Sequence, residues 1–202
     1  MRETRYADWR REVVRAFESL RERCSRVVAI GLSMGGTLVL DLACSHGAQL
    51  AGVVAINPLI LNREGLVAKL APYLERILPV VPAKAAGLTE NDIAKPGQDE
   101  KAYPKVPAAA GNSLIAELPR LRDQLKSVKL PVLVAYSPQD HSVAPANSRE
   151  LIKMLGPDNA TELVLERSYH VATLDYDFEL LVERITAFAD RVAGGTTTAA
   201  SA

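Results

Sequence analysis

The sequence predicts one α/β domain in which about four parallel strands are flanked by helices and joined to a small helical cap. Two observations carry this prediction. Short runs that are apolar on both faces alternate with helical patterns whose apolar residues recur every three or four positions, as in a parallel sheet covered by helices. In addition, 202 residues of which 48% are hydrophobic are enough to bury one core of ordinary size.

The predicted strands are short apolar runs bounded by glycine, proline or polar residues, and they occupy residues 27–30, 53–56, 131–136 and 161–165. The predicted helices of the same region cover residues 6–24, 37–46, 147–155 and 178–192. A strand, a helix and a second strand in this order imply a right-handed parallel crossover. We therefore assign residues 1–57 and 127–193 to the core, and predict that residues 194–202 form a disordered tail.

Residues 58–126 break this pattern and are predicted to form the cap insertion. They contain eight prolines and no plain strand. One amphipathic helix is predicted from Leu66, Leu70, Tyr73, Leu74 and Ile77, and a second from the leucines between 114 and 125, bent or split at Pro119. Residues 87–110 read mostly as loop. The apolar helix faces fit two interpretations, a cover that binds the apolar part of a substrate or simple packing on the core, and both stay open.

Charge and composition exclude several classes of partner. Lys plus Arg equals Asp plus Glu at 24 each, so nothing favours nucleic acid or an anionic membrane, and a small molecule is the expected partner. No apolar segment follows the charged start, and polar residues interrupt the apolar stretch 27–61. A cytoplasmic protein without a transmembrane segment is therefore expected. Cys24 and Cys44 fall on predicted apolar helix faces, which favours buried thiols over a disulfide or a metal site.

The most informative stretch is Gly31-Leu32-Ser33-Met34-Gly35-Gly36, which follows the first predicted strand and leads into a helix. A serine between glycines at a strand-to-helix turn is typical of a nucleophile elbow, where a strained backbone exposes the hydroxyl. The N–H of Met34 would then lie at the helix N-terminus, where unpaired donors can stabilise an oxyanion.

Two further polar residues, like Ser33, follow a predicted strand. Ser33, Asp140 and His170 follow the first, third and fourth predicted strands, and the carboxyl ends of parallel strands share one edge of the sheet. The other titratable residues are better explained otherwise. His46 fits a helix end and His141 a polar rim group, while Asp175 and Asp177 fit the first turn of the last helix.

Three stretches resemble the α/β-hydrolase superfamily, and within it the small capped carboxylesterases and monoacylglycerol lipases. They are Asp8-Trp9 with the serine turn, Ser137-Pro138-Gln139-Asp140 with Pro145 and Ser148 beyond it, and residues 168–175, which match the pattern Ser-x-His-x-x-x-x-Asp. The resemblance covers most of residues 6–193 and is loosest in the cap. The order Ser, Asp, His is that of the superfamily.

The resemblance implies a serine hydrolase acting on short to medium acyl esters or monoacylglycerol. Ser33 would attack the ester carbonyl, His170 would take and return the proton, and Asp140 would orient the imidazole. No metal or organic cofactor is implied. Residues beside the strand ends, each of which could equally be core, are the pocket candidates Leu59, Ile60, Val143 and Val171. A thioesterase, a lactonase, an acyltransferase and an inactive remnant stay open as alternatives.

One part of the family pattern is missing. The family has several strands and a His-Gly loop with a second oxyanion donor before this point, whereas only about five residues precede the first helix here. The first strand would then be an exposed apolar edge, which favours self-association. We therefore expect this sequence to be the C-terminal part of a longer hydrolase.

Overall fold

A computed structural model describes residues 3–61, 75, 77–85 and 91–194. Six strands lie in this part of the chain. They are Val28–Leu32 (β1), Gly52–Ile56 (β2), Val80–Pro82 (β3), Lys105–Pro107 (β4), Val132–Tyr136 (β5) and Ala160–Val164 (β6). Four of them form one parallel sheet in the order β1-β2-β5-β6, in which Val28 pairs with Gly52, Val53 with Val132, and Val132 with Ala160. The predicted α/β class and its four core strands are confirmed.

The described α-helices of ten or more residues pack around this sheet. They are Tyr6–Arg21 (α1), Met34–His46 (α2), Ala108–Leu125 (α3), Ala146–Leu155 (α4) and Phe178–Ala193 (α5). Alternate residues of the central strands face opposite sides, because side chains in a strand alternate. Val53 and Ala55 of β2 join one core cluster, which includes residues of α1, α2, α3 and α4. Val54 and Ile56 join the other, which α5 covers.

A buried carboxylate ties three of these helices together. Asp41 of α2 is fully buried and accepts hydrogen bonds from the Tyr6 hydroxyl at 2.8 Å, Arg10 Nε at 3.1 Å and Arg120 Nη2 at 2.7 Å. Burial, and then the negative charge of Asp41, raise the pKa of Tyr6 well above its usual value. Asp41 thus joins α1 and α2 to α3, a helix of the predicted cap.

Three expectations require correction. The cap region does contain strands, because β3 and β4 form an antiparallel pair. Of the two alternatives at Pro119, a bend or a split, the split is wrong because α3 continues through this residue. The buried Leu118 and Leu121 on either side of Pro119 hold this helix against the core, so packing offsets the missing N–H. Cys24 lies beyond the end of α1 and is exposed, while Cys44 is half-buried.

Other expectations fall outside the described residues, among them most of the first predicted cap helix and the C-terminal tail. Ile77, the last residue assigned to that helix, is described and exposed. Within the described part of the chain, none of the helices combines the length and the apolar character that crossing a bilayer requires.

Candidate active site

Ser33 occupies a strained turn between β1 and α2. Its backbone has φ 56° and ψ −120°, a conformation with positive φ that a residue with a side chain rarely adopts. The turn is held because Ser33 N donates to Ile56 O at 2.8 Å and Thr37 N donates to Ser33 O at 3.1 Å. The backbone also approaches itself closely, since a Cβ on Gly31 would lie 2.2 Å from Gly35 O. The geometry is that of the predicted elbow.

Met34 is the first residue of α2. Backbone N–H groups in the first turn of a helix have no acceptor within the helix, and the helix dipole places positive potential there. The N–H of Met34 therefore lies at the positive end of α2, and its role as an oxyanion donor stays a prediction. Among the described residues, Ser33 Oγ forms no hydrogen bond, including none to a histidine, and such contacts are commonly loose before substrate is bound.

Asp140 and His170 are brought together at the carboxyl edge of the sheet. His170 Nδ1 lies 2.7 Å from Asp140 Oδ2, and both side chains are almost completely buried. The other oxygen of Asp140 accepts the backbone N–H groups of Ser142 at 2.8 Å and Val143 at 2.7 Å. Asp140 is thus a fixed acceptor that leaves the Nε2 atom of His170 as the ring nitrogen available for proton transfer.

Asn57 is a further polar residue of this edge, which sequence reasoning did not identify. It follows β2 with φ 44° and is buried. Its side chain donates from Nδ2 to His170 O at 2.7 Å and accepts at Oδ1 from Ser137 N at 2.9 Å. One side chain therefore connects the end of β2 with the loops that carry the acid and the histidine. The sequence signal for it is the Asn57-Pro58 step at the end of the predicted strand 53–56.

The loop before His170 is fixed by two further carboxylates. Asp177 Oδ2 accepts from Arg167 N at 2.8 Å and from Ser168 Oγ at 2.9 Å. Asp175 accepts from Tyr169 N at 2.9 Å. Asp177 occupies the N-cap position of α5, near its predicted place. Asp175 lies two residues earlier, between the short helix Ala172–Leu174 and α5, and not in the first turn of α5.

The remaining predicted residues have the following environments. His46 is the last residue of α2 and packs edge-on against Phe17, while His141 contacts Asp92 through Nδ1 at 2.7 Å. Of the pocket candidates, Ile60 is fully buried in the main core cluster, and Leu59 packs in part against the cluster around Tyr6 and Leu38. Val143 and Val171 are buried beside Asp140 and His170. A pocket role for these four residues stays a prediction.

In the described part of the chain, no three His, Cys, Asp or Glu side chains are grouped so as to hold a metal ion.

The chain is similar to known proteins over most of its length. Residues 3–177 match the family model described as Serine aminopeptidase, S33. The chain is 31% identical over 206 residues to a thermostable monoacylglycerol lipase of Bacillus sp. (strain H-257), an alignment that covers 96% of this chain and 74% of that protein.

Solved structures show the same relationship. One from a study of LipS and LipT, two metagenome-derived lipolytic enzymes, has a TM-score of 0.85 and 34% identity, and the match covers 94% of this chain and 75% of that one. The monoacylglycerol lipase of Paleococcus ferrophilus shares the fold, with a TM-score of 0.76, 21% identity and coverage of 96% and 77%. The four-stranded parallel sheet, the elbow and these matches together show that the chain belongs to the serine aminopeptidase S33 family of the α/β-hydrolase superfamily.

Proposed function

We propose that this protein is a serine hydrolase that cleaves carboxylic esters, with Ser33 as nucleophile, His170 as general base and acid, and Asp140 as the residue that orients the imidazole. The observation that carries the proposal is the buried hydrogen bond of 2.7 Å between His170 Nδ1 and Asp140 Oδ2. It lies at the same edge of the sheet as the strained turn of Ser33, which is where parallel α/β sheets carry their sites.

The chemistry follows from these positions. His170 Nε2 takes the proton of Ser33 Oγ as the oxygen attacks the ester carbonyl, and the N–H of Met34 stabilises the oxyanion. The imidazolium then gives its proton to the leaving alcohol, and an acyl-enzyme remains. Water, activated by the same imidazole, releases the acid and restores the hydroxyl of Ser33. Asp140 stabilises the charged imidazole in both halves of the reaction.

Short to medium acyl esters or monoacylglycerol are the proposed substrates. This choice is supported by the relatives described as monoacylglycerol lipase and as lipolytic enzymes. The family description names an aminopeptidase instead, and acyl transfer from an amide uses the same three groups. Initial rates should therefore be compared for p-nitrophenyl acetate, butyrate and octanoate, for a monoacylglycerol, for a thioester, for a lactone and for an aminoacyl p-nitroanilide. A rate that is highest for the anilide would contradict the ester assignment.

The test of the triad uses substitutions with matched controls. S33A should lower kcat for p-nitrophenyl butyrate by about 10⁴-fold or more and abolish labelling by a fluorophosphonate, and D140N and H170A should lower kcat by about 10³-fold or more. S127A and H46Q are the controls, because Ser127 is exposed after α3 and His46 lies at the far end of α2. Labelling that persists in S33A would place the nucleophile elsewhere.

The wild-type protein separates this proposal from a non-catalytic remnant. A folded protein with a cooperative thermal transition that neither hydrolyses any of these substrates nor reacts with the fluorophosphonate would support the remnant. Hydrolysis that requires Ser33 would exclude it.

We also propose that β1 pairs with a second copy of the chain. β1 is an edge strand among the described strands, and its central residue Ile30 is 49% exposed. An exposed apolar edge strand is a template for pairing with another chain. Light scattering after size exclusion should show a dimer for the wild type and a monomer for Ile30→Lys. A monomeric wild type would refute the pairing.

A further inference from the structure

A segment of the predicted cap is attached to both loops of the proposed acid and base. Residues 91–95, called the strap below, contain the buried carboxylate of Asp92. Asp92 Oδ2 accepts the backbone N–H of His141 at 3.0 Å, and Asp92 Oδ1 lies 2.7 Å from Nδ1 of the same histidine. The carbonyl oxygen of Asp92 accepts the N–H of Val171 at 3.1 Å. One strap residue therefore contacts the residue after Asp140 and the residue after His170.

The other end of the strap is held by Asp175. This carboxylate accepts the N–H groups of Ala94 at 2.7 Å and Lys95 at 2.9 Å, and also that of Tyr169 at 2.9 Å. Tyr169 directly precedes His170. The His170 backbone is thus bracketed, because its preceding residue is bound to Asp175 and its following residue to Asp92.

The local environment favours a fixed arrangement. Asp92 and Asp175 are each 2% exposed, and a buried carboxylate is tolerated only when donors satisfy it. The imidazole of His141 is half exposed but stacks edge-on against Tyr169 with 4.5 Å between the ring centres. The second carboxylate–imidazole pair, Asp92 with His141, therefore spans the loops that carry the first pair, Asp140 with His170.

We propose that the strap is part of the proton-transfer apparatus, with Asp92 and Asp175 acting as positioning residues for the Asp140–His170 pair. The inference rests on the triad assigned under the proposed function. Asp92 and Asp175 do not touch substrate in this reaction. They set the separation of the loops that end in Asp140 and His170, and a displacement of about 1 Å between reacting groups costs about 10²-fold in rate.

The first experiment concerns His141, whose exposed ring can be changed without opening the core. H141A removes the side-chain contact to Asp92, whereas the amide nitrogen of H141N can take the place of Nδ1. With p-nitrophenyl butyrate, H141A should lower kcat about tenfold with KM within about twofold of the wild type, and H141N should restore most of kcat. D99N is the matched control, because Asp99 is an exposed carboxylate that pairs with Lys101 close to the strap. Equal losses in H141A and H141N, or a loss confined to KM, would overturn the proposal.

The second experiment is a double-mutant cycle that combines D92N with D140N. If Asp92 acts through the pair, D92N lowers kcat about 10²-fold in the wild-type background and less than about threefold once Asp140 is replaced. The same fold-loss in both backgrounds would mean that Asp92 acts on binding or on the fold alone, and the proposal would fall. Failure of the proposed function looks different, since D140N itself would then leave kcat unchanged. Thermal melting of each variant shows whether it is folded at the assay temperature, and D175N offers a second route if D92N is not.

Discussion

Gly31, Gly35 and Gly36 provide the sharpest test of the elbow, because the structure leaves different amounts of space for a side chain at each of them. A Cβ added to Gly31 would lie 2.2 Å from Gly35 O, about 1 Å short of the 3.4 Å at which ordinary contact begins. A Cβ on Gly36 would lie 3.0 Å from Pro58 Cβ and 3.2 Å from Gly31 O, whereas a Cβ on Gly35 would meet nothing within 4 Å among the described atoms. The expected order of damage is therefore G31A, then G36A, then G35A.

The clash at Gly31 involves backbone on both sides, so no side-chain rotation can relieve it. We expect G31A to cost about 3 kcal/mol of stability and G36A about 1 kcal/mol, as typical for overpacking. G35A should be neutral or stabilising by up to about 1 kcal/mol, because alanine favours the helix over glycine. For a domain of this size, each kcal/mol corresponds to about 2–4 °C in Tm.

The assay is calorimetric or circular-dichroism melting of the three variants, together with kcat for p-nitrophenyl butyrate. G31A must shift the turn by about 1 Å, which is expected to lower kcat by about 10²-fold or more, whereas a folded G35A should keep the fluorophosphonate reactivity of Ser33. A G31A protein that melts with the wild type and keeps its kcat would refute the close approach of the two backbone segments. So would a G35A protein that is less stable than G31A.

Three other predictions follow from buried polar groups. Burial, with a smaller contribution from Asp41, raises the pKa of Cys44 to about 12. Iodoacetamide at pH 8 should therefore alkylate the exposed Cys24 first, and the alkylation rate of Cys44 should rise with pH until its thiol ionises. Peptide mass spectrometry measures both rates, and equal rates in the native protein would contradict the prediction. Asn57→Asp replaces the donor to His170 O by an acceptor, so it should lower both Tm and kcat. A melting curve and the ester assay measure these two values, and unchanged values would mean that the hydrogen bond between Asn57 and His170 is dispensable. D41N removes a buried charge shared by two arginines that are each 39% exposed. Because water can solvate those partners, urea unfolding should show a loss of about 2 kcal/mol in the free energy of unfolding, which is less than the loss of about 3–5 kcal/mol for a fully buried pair.

Much of the core could be predicted because its signals are local. Parallel strands covered on both faces are continuous apolar runs, and the runs at 53–56 and 131–136 agree with β2 and β5 to within a residue at each end. Helix ends were marked by glycine and proline, so α4 ends at Leu155 as expected, where Gly156 adopts φ 74°. Because Ser33, Asp140 and His170 each follow a predicted strand, the sequence also predicts that all three lie at the carboxyl edge of the sheet.

The cap was harder to predict because tertiary contacts decide its structure. Pro119 suggested an interruption, yet α3 passes through it since Leu118 and Leu121 are buried against the core. The strands β3 and β4 are three residues each and pair across more than twenty residues of chain, which leaves almost no periodicity to read. Exposure of Cys24 was missed for a related reason, since α1 ends one turn before the apolar pattern does.

The polar network around His170 explains why its sequence pattern has the spacing it has. In the stretch Ser-x-His-x-x-x-x-Asp, only His170 carries the proposed proton transfer, and the outer two residues hold its loop. Ser168 Oγ exchanges hydrogen bonds with Asp177, and Asp175 accepts the N–H of Tyr169. The spacing therefore reflects a loop that folds back so that its two ends are hydrogen-bonded to each other. The same carboxylate of Asp175 also binds the strap, which lies about 80 residues earlier in the chain. The last residue of this sequence pattern therefore also binds the segment of the cap that contacts the loops of Asp140 and His170. Replacing Asp175 should accordingly displace both the backbone around His170 and the strap.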